Sequence, residues 1–324
     1  MSTAPRDPAA PPPVLSIVIV NWNTRDLLLA VLGRLLPSPR LPCEVLVVDN
    51  LSSDGSVEAA RTRFPAAIVL AQPKNGGFAY GVNRGLERAR GRWVLLLNTD
   101  AEAAWPELER LVEAAERCPE AAVFGPRIVD ERGRVQNSTW RRHLPRHALP
   151  EALFLDRLFP ERVPAEATDV DVVSGCVFLI RAAVLPLVGG FDERFFMYFE
   201  EADFCERVRR AGHRVRWLPD ASFLHVGGLS AGQAAERTFL AFRESRLLYH
   251  AAWHGRLSTE WVRACLLLGN GLRLVGWCVA AGLRRRSRAH LYWRAVRRLL
   301  RPGYVGELCR RAREVPTFAP PAVS

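Results

Sequence analysis

Four aliphatic runs near the N-terminus, Leu15–Val20, Val45–Val48, Ile68–Leu70 and Trp93–Leu97, set the terms for what this chain can fold into. Each is uncharged and short, the pattern of a strand buried on both faces. Between them lie segments of helical character: Leu27, Leu28, Val31, Leu32 and Leu35 following Thr24, then Ser56–Arg63, then a stretch ending near Ala89. Thr24 is placed to cap the first of these helices. Strands alternating with helices predict an α/β fold, a mostly parallel central sheet with helices on both faces. Such sheets bind ligands at the carboxyl ends of their strands. Asn21–Asn23, Asp49–Asn50 and Asn98–Asp100 stand at those ends.

The alternation weakens beyond a helix expected over Trp105–Arg117. Arg127–Asp130 and Arg134–Asn137, around Gly133, read as a hairpin, and residues 141–169 read as a loop rich in proline and charge. Val172–Ile180 reads as one continuous strand and Glu200–Ala211 as a helix, with short extended pieces at Val215–Leu218 and Ser222–Val226. From Gly232 to about Arg301 the sequence turns helical, aromatic and basic. The segment through Pro13, rich in Ala and Pro, lacks the apolar core of a signal peptide and is expected to be a disordered tail.

Charge is unevenly shared. The chain carries +11 overall, yet from Ala231 onward 17 arginines face 5 glutamates, so the excess lies in the last third. That asymmetry points to an anionic surface as a partner. The 7 cysteines are scattered with no CxxC pair, which argues against a zinc site or a disulfide framework and for reduced thiols.

Two carboxylates, Asp49 and Asp100, end neighbouring strands. One suits hydrogen bonding to a base or ribose, and the other suits a divalent cation that neutralises a diphosphate. Strand-end aspartates also cap turns, so neither residue alone decides. Asn75-Gly76-Gly77 before a helix lets backbone approach an anionic ligand, although an ordinary strand-to-helix turn has the same composition. Neither a G-x-G-x-x-G fingerprint nor a G-x-x-x-x-G-K-[ST] loop occurs. Glu200, Glu201 and Asp203 follow an aromatic run, either as an acidic first helical turn or as a functional cluster.

Four motifs in order, Ile17–Asn23, Val47–Asn50 with Ser53–Gly55, Asn75–Ala79 with Asn83, and Leu97–Asp100, resemble glycosyltransferase family 2, in particular its rhamnosyltransferase-like branch, over about residues 14–250. The resemblance implies the GT-A fold of nucleotide-diphospho-sugar transferases. It implies that Asn21 and Asp49 contact the nucleoside, that Asn75, Gly76, Gly77 and Phe78 line the donor pocket, and that Asn50, Asn83 and Asn98 also bind the donor. The family's metal-binding Asp-x-Asp falls on Asn98-Thr99-Asp100, whose first carboxylate is an amide, so Asp100 becomes the principal carboxylate ligand. Its metal-binding histidine falls on His225, within His225–Ser230. The catalytic base falls on Glu201, where the family usually has Asp, with Asp203 as the alternative. Burial and repulsion from Glu200 and Asp203 are expected to raise the pKa of Glu201.

The implied enzyme is an inverting, metal-dependent glycosyltransferase using Mg2+ or Mn2+. It takes sugar from a nucleotide-diphosphate donor, with dTDP-rhamnose a candidate, to a saccharide or polyprenyl-linked saccharide acceptor in surface-polysaccharide assembly. A sugar-phosphate nucleotidyltransferase would need a Gly-rich triphosphate loop near the first strand, which Asn21–Asn23 does not supply. A non-catalytic membrane-bound protein with a degenerate site is the other alternative. Trp261–Leu283 is nearly all apolar, but Arg263, Asn270 and Arg273 fall on one side at helical spacing. It reads as an amphipathic helix lying in a membrane interface rather than crossing it. Packing onto the catalytic core is the competing reading, and no nucleic-acid-binding motif accompanies the charge. The expected organisation is a tail over 1–13, a GT-A catalytic domain over 14–230 and a basic helical membrane-associating extension over 231–324, cytoplasmic and peripheral at the inner face of the cell membrane.

Overall fold

A computed structural model of the chain describes residues 12–158, 163–226, 235–280 and 286–314. Strands β1 (Leu15–Asn21), β2 (Cys43–Asp49), β3 (Ile68–Ala71) and β4 (Trp93–Leu97) run parallel in the order β3-β2-β1-β4. They are joined by helices α1 (Arg25–Leu35), α2 (Ser56–Arg63) and α3 (Phe78–Leu86). Strand parity sorts their side chains into two layers. Leu15, Ile17, Ile19, Val45, Val47 and Leu95 pack under α1, α2 and helix α4 (Trp105–Glu116). Val18, Leu46, Val48, Val94 and Leu96 pack on the opposite face with α3. Each such side chain contributes on the order of 1.5–3 kcal/mol through burial, which is why uninterrupted aliphatic runs were needed.

Beyond β4 the sheet continues through a two-residue strand β5 (Ala101–Glu102), β6 (Ala121–Val129), β10 (Val177–Arg181) and β11 (Arg214–His225), in the order β4-β10-β6-β11-β5. Short strands β7 (Thr139–Trp140), β8 (Thr168–Asp169) and β9 (Val172–Val173) complete the described set. Here the fold departs from the sequence reading in four places. The expected hairpin about Gly133 is reduced to one bridge, Val129 to Val135, because residues 121–129 form an interior strand instead. Its Gly125 is required by packing: a Cβ there would lie 2.5 Å from the Val173 side chain. The span 172–180 is not one strand but breaks at Ser174–Cys176. The two extended pieces near 215 and 222 are one strand, with a register shift between Leu218 and Ser222. Finally, 141–169 contains a 3-10 turn at Pro145–His147 and helix α5 (Ala148–Ala152).

Helices α6 (Leu185–Val188) and α7 (Glu200–Arg210) precede β11, and α8 (Ala235–Trp253), α9 (Gly255–Ala280), α10 (Arg286–Leu299) and α11 (Tyr304–Arg313) follow it. The last four are packed onto the sheet domain. Leu247, Leu248 and Tyr249 of α8 join the same apolar cluster as Phe178, Phe191 and Phe204. Ser245 Oγ donates to Met197 O at 2.8 Å, Arg246 pairs with Glu151, and Arg311 Nη2 donates to Arg194 O at 2.9 Å. The tail residues 1–11 and the glycines at 227 and 228 lie outside the described residues.

Because Leu248 is 1% exposed within that common cluster, Leu248→Ala should cost ~2–5 kcal/mol. In urea titrations it should move a single unfolding transition; a transition that splits, with only one limb moved, would mean that the helices after 235 unfold apart from the sheet.

Candidate active site

The carboxyl ends of β1 and β2 meet in register, placing Asn21 beside Asp49. Asn21 Nδ2 donates to Asp49 Oδ1 at 2.8 Å, and the Ser52 amide donates to Asp49 Oδ2 at 2.8 Å. Thr24 makes no capping bond to α1. Its hydroxyl instead donates to Asn21 Oδ1 at 2.7 Å and lies 3.0 Å from the Thr99 hydroxyl. A buried chain of hydrogen bonds thus links Asp49 to the Asn98–Asp100 segment. Thr24, Ser52 and Thr99 were not identified as site residues from sequence.

Asn50 turns the other way and donates to Gly77 O at 2.9 Å. Gly77 has φ +95°, and a Cβ there would fall 2.1 Å from Phe196 O. The Phe78 amide donates to that same oxygen at 2.9 Å, and Asn75 Oδ1 accepts the Gly77 amide at 3.1 Å. Gly77 therefore lets the loop press against the aromatic run before α7, while a Cβ on Gly76 would lie 2.4 Å from the Tyr80 ring. Asn83, expected to bind the donor, is fully buried and occupied elsewhere. Its amide donates to Phe191 O and accepts from Phe191 N, both at 2.8 Å, so it locks α3 to the 189–191 turn.

The break at Ser174–Cys176 is where the pieces converge. The Asn98 amide donates to Cys176 O at 2.9 Å. A Cβ on Gly175 would lie 3.8 Å from Phe78 Cε1 and 3.9 Å from Glu201 Cβ. Burial pushes the Cys176 thiol up to about 11, so it is an inert wall rather than a nucleophile. Pairing of β5 with the end of β11 sets His225 against Ala101. His225 Nε2 then lies 3.3 Å from Asp100 Oδ1. Gln136, also missed from sequence, donates to His225 O at 2.8 Å and holds its Oε1 3.4 Å from Nδ1.

Tyr198 and Phe199 both have positive φ, 69° and 68°. Two bulky residues in the left-handed region cost about 1–3 kcal/mol each. They aim the first turn of α7 into the site. Asp203 is fully engaged there: it accepts Arg207 Nε at 2.9 Å and Trp253 Nε1 at 2.9 Å. Glu200 and Glu201 each leave a buried, unpartnered Oε2. Burial, then the charge of Glu201, holds Glu200 well above the glutamate range, and burial raises Glu201 to about 7. Desolvation, and not the expected repulsion from Glu200 and Asp203, raises the Glu201 value.

Residues 16–187 match the family described as Glycosyl transferase family 2. The N-acetylglucosaminyl-diphospho-decaprenol L-rhamnosyltransferase of Mycobacterium tuberculosis is 30% identical over 305 residues, covering 86% of this chain and 97% of its own length. The low-salt glycan biosynthesis hexosyltransferase Agl10 of Haloferax volcanii is 28% identical over 60% of this chain and 62% of its own. Among solved structures, a mannosyltransferase of Pyrobaculum calidifontis in complex with GDP-Man and Mn2+ superposes with a TM-score of 0.51 at 16% identity, over 95% of this chain and 90% of that one. The chain belongs to glycosyl transferase family 2 and has the GT-A fold. It is a glycosyltransferase, and the strand-end cluster described above is its candidate active site.

Between the ordinary glutamate pKa and its raised value, folded Glu200 keeps a proton that the unfolded chain has released. Its contribution to stability therefore falls as pH rises through that window. Glu200→Gln should raise the urea midpoint at pH 8, and the gain should vanish toward pH 4. An equal midpoint change at both pH values would show that Glu200 is not held protonated.

Proposed function

We propose that the chain is an inverting, metal-dependent transferase that moves a hexose from a nucleotide diphosphate to a saccharide acceptor carried on a polyprenyl diphosphate. L-rhamnose from dTDP-rhamnose is the first candidate donor. The sugar and acceptor follow those of the mycobacterial relative, an N-acetylglucosaminyl-diphospho-decaprenol L-rhamnosyltransferase that aligns over most of this chain. A lipid-linked acceptor would hold the enzyme at the cytoplasmic face of an anionic membrane.

The observation that carries the reading is the division of labour in α7. Asp203 is bound by Arg207 and Trp253, while Glu201 keeps a buried oxygen without a partner and has its Cβ beside Gly175. A carboxylate raised to about 7 is matched to a proton that must be taken near neutral pH. Glu201 accepts the acceptor hydroxyl proton as that oxygen attacks the anomeric carbon. The carbon–oxygen bond to the diphosphate breaks on the opposite side, so the configuration inverts. Asn21 and Asp49 hold the nucleoside end, and the Asn75–Phe78 loop with Asn50 and Asn98 lines the donor path.

Asp100 and His225 fit a divalent cation, since a carboxylate oxygen and an imidazole nitrogen converge with Gln136 behind the ring. Such a cation, when bound, neutralises the diphosphate leaving group. No group of three His, Cys, Asp or Glu side chains able to hold a metal occurs among the described residues; in this reading the diphosphate supplies the further ligands.

Glu201→Gln should cut single-turnover transfer by ~100-fold or more, with donor affinity by calorimetry nearly unchanged. Wild-type transfer should rise as pH passes upward through about 7, because the base works only when ionised. If Glu201→Gln transfers normally and a folded Asp203→Asn does not, the base is Asp203. Asp100→Ala should abolish the response of transfer to Mn2+ and Mg2+, with His225→Ala weakening it less; full turnover in excess chelator would remove the metal from the mechanism.

A further inference from the structure

Helix α9 turns the side that carries its polar residues into the protein, where Val262 and Cys265 join the core and Leu266 and Leu267 pack against it. Thr259 and Val262 are fully buried and Asn270 is 3% exposed. Arg243 Nε donates to Asn270 Oδ1 at 2.8 Å, Arg263 Nε donates to Leu299 O at 2.6 Å, and the Arg273 guanidinium lies 4.0 Å from the Phe154 ring centre. The outward side is apolar from end to end. Leu257 (89% exposed), Trp261, Leu268, Leu272, Val275 (62%) and Val279 (81%) follow one another at spacings of three, four or seven residues and form a single stripe. Between Leu257 and Val279 the one acidic side chain is Glu260, 40% exposed and paired with Arg263 at 2.9 Å beside the stripe. A run of this length of leucine, valine and tryptophan facing water is outside what an ordinary soluble surface carries.

The surroundings say what covers it. Exposed Arg256 precedes the stripe, and exposed Arg288 stacks over Trp277 near its far end, 5.0 Å from the ring centre. The glutamates of α9 and its neighbouring helices are paired within the protein: Glu236 with Arg294, Glu244 with Arg298 and Arg311, Glu260 with Arg263, and Glu307 with Arg301. Because 17 arginines face 5 glutamates from Ala231 onward, arginines remain in excess after these pairs and the field around the stripe is positive. An apolar face rimmed by arginines and interfacial tryptophans is complementary to anionic phospholipid, whose acyl region takes the side chains and whose headgroups take the guanidinium groups.

We infer that the outward stripe of α9, Leu257 to Val279, is a membrane-docking surface that beds in one leaflet of an anionic bilayer with the helix parallel to the membrane plane. The helix is long and apolar enough to span by length and composition. Spanning would strip Asn270, Arg263 and Arg273 of their partners and place them in hydrocarbon, where unsatisfied polar groups are costly. This deepens the membrane-facing part of the proposed function by naming the surface and its orientation, and it rests on that reading.

The test uses the full chain with phosphatidylcholine vesicles made with and without phosphatidylglycerol. Leu257, Val275 and Val279 are the most exposed positions of the stripe, so Leu257→Gln/Val275→Gln/Val279→Gln should fold normally. It should reduce co-flotation with the anionic vesicles by at least ~10-fold, as expected for several aliphatic side chains that no longer leave water. Leu187→Gln, at a leucine 66% exposed outside the stripe, should bind as the wild type does. Brominated acyl chains should quench wild-type tryptophan emission, and Trp261→Phe should remove most of that quenching. If the triple variant floats as well as the wild type, the stripe is not the docking surface, although the membrane reading survives. If the wild type ignores anionic vesicles and sediments as a dimer that the triple variant dissociates, a second copy covers the stripe and the inference fails. If it neither floats nor dimerises, the inference and the membrane reading fail together.

Discussion

The carbonyl of Cys176 accepts the amide of Asn98 at 2.9 Å, and that bond fixes where the two halves of the molecule meet. On one side lie the parallel strands whose carboxyl ends carry Asn21, Asp49 and Asp100. On the other lies β10, which runs antiparallel to β4 and leads onward to the aromatic run and α7. Because the chain breaks at Ser174–Cys176 just before β10, one short turn touches Asn98 through a hydrogen bond and faces Phe78 and Glu201 through Gly175. A larger residue at 175 would fill the space between a donor-loop aromatic and the acidic cluster. The site is thus less a pocket in one domain than a seam held closed from both sides.

That seam stores unfavourable energy in a small volume. Two left-handed aromatics, two buried carboxylates with unpartnered oxygens and a loop pressed onto Phe196 all lie within a few residues or one contact of each other. Each would be costly in isolation. The two-sided apolar core and the packing of α8 against α7 offset them. Clustering of strain at one place is what a preorganised site requires, since charge must be held where solvent would otherwise relax it.

Much of the framework was legible in sequence. Strands β1 to β4 announce themselves because their residues are aliphatic on both faces, and the residues that end them fall where ligands bind in such sheets. The acidic turn of α7 was equally plain from Glu200, Glu201 and Asp203. What escaped reading depends on contacts distant along the chain. Residues 121–129 hide a central strand because Ala121, Ala122, Gly125 and Pro126 dilute its apolar signal, and Gly125 has meaning only against Val173. Thr24 looks like a cap until Thr99 is set 3.0 Å away. Asn83 looks like a ligand until Phe191 claims both ends of its amide. The polar side of α9 was visible as a stripe, but spacing alone gives no sign of which way a stripe faces.

The long reach of these contacts sets an order of events during synthesis. The strand ends bearing Asn21, Asp49 and Asp100 leave the ribosome early, yet His225 cannot pair with Ala101 until the strand 214–225 has emerged. Asp203 receives its indole partner only when Trp253 follows. Arg194 finds the carbonyl of Arg311 later still, across 117 residues. A nascent chain carrying every residue of the first four motifs is therefore still without its fixed acidic helix. The seam closes only after Trp253 has followed α7, so the strand ends of the first four motifs wait on residues made well after them.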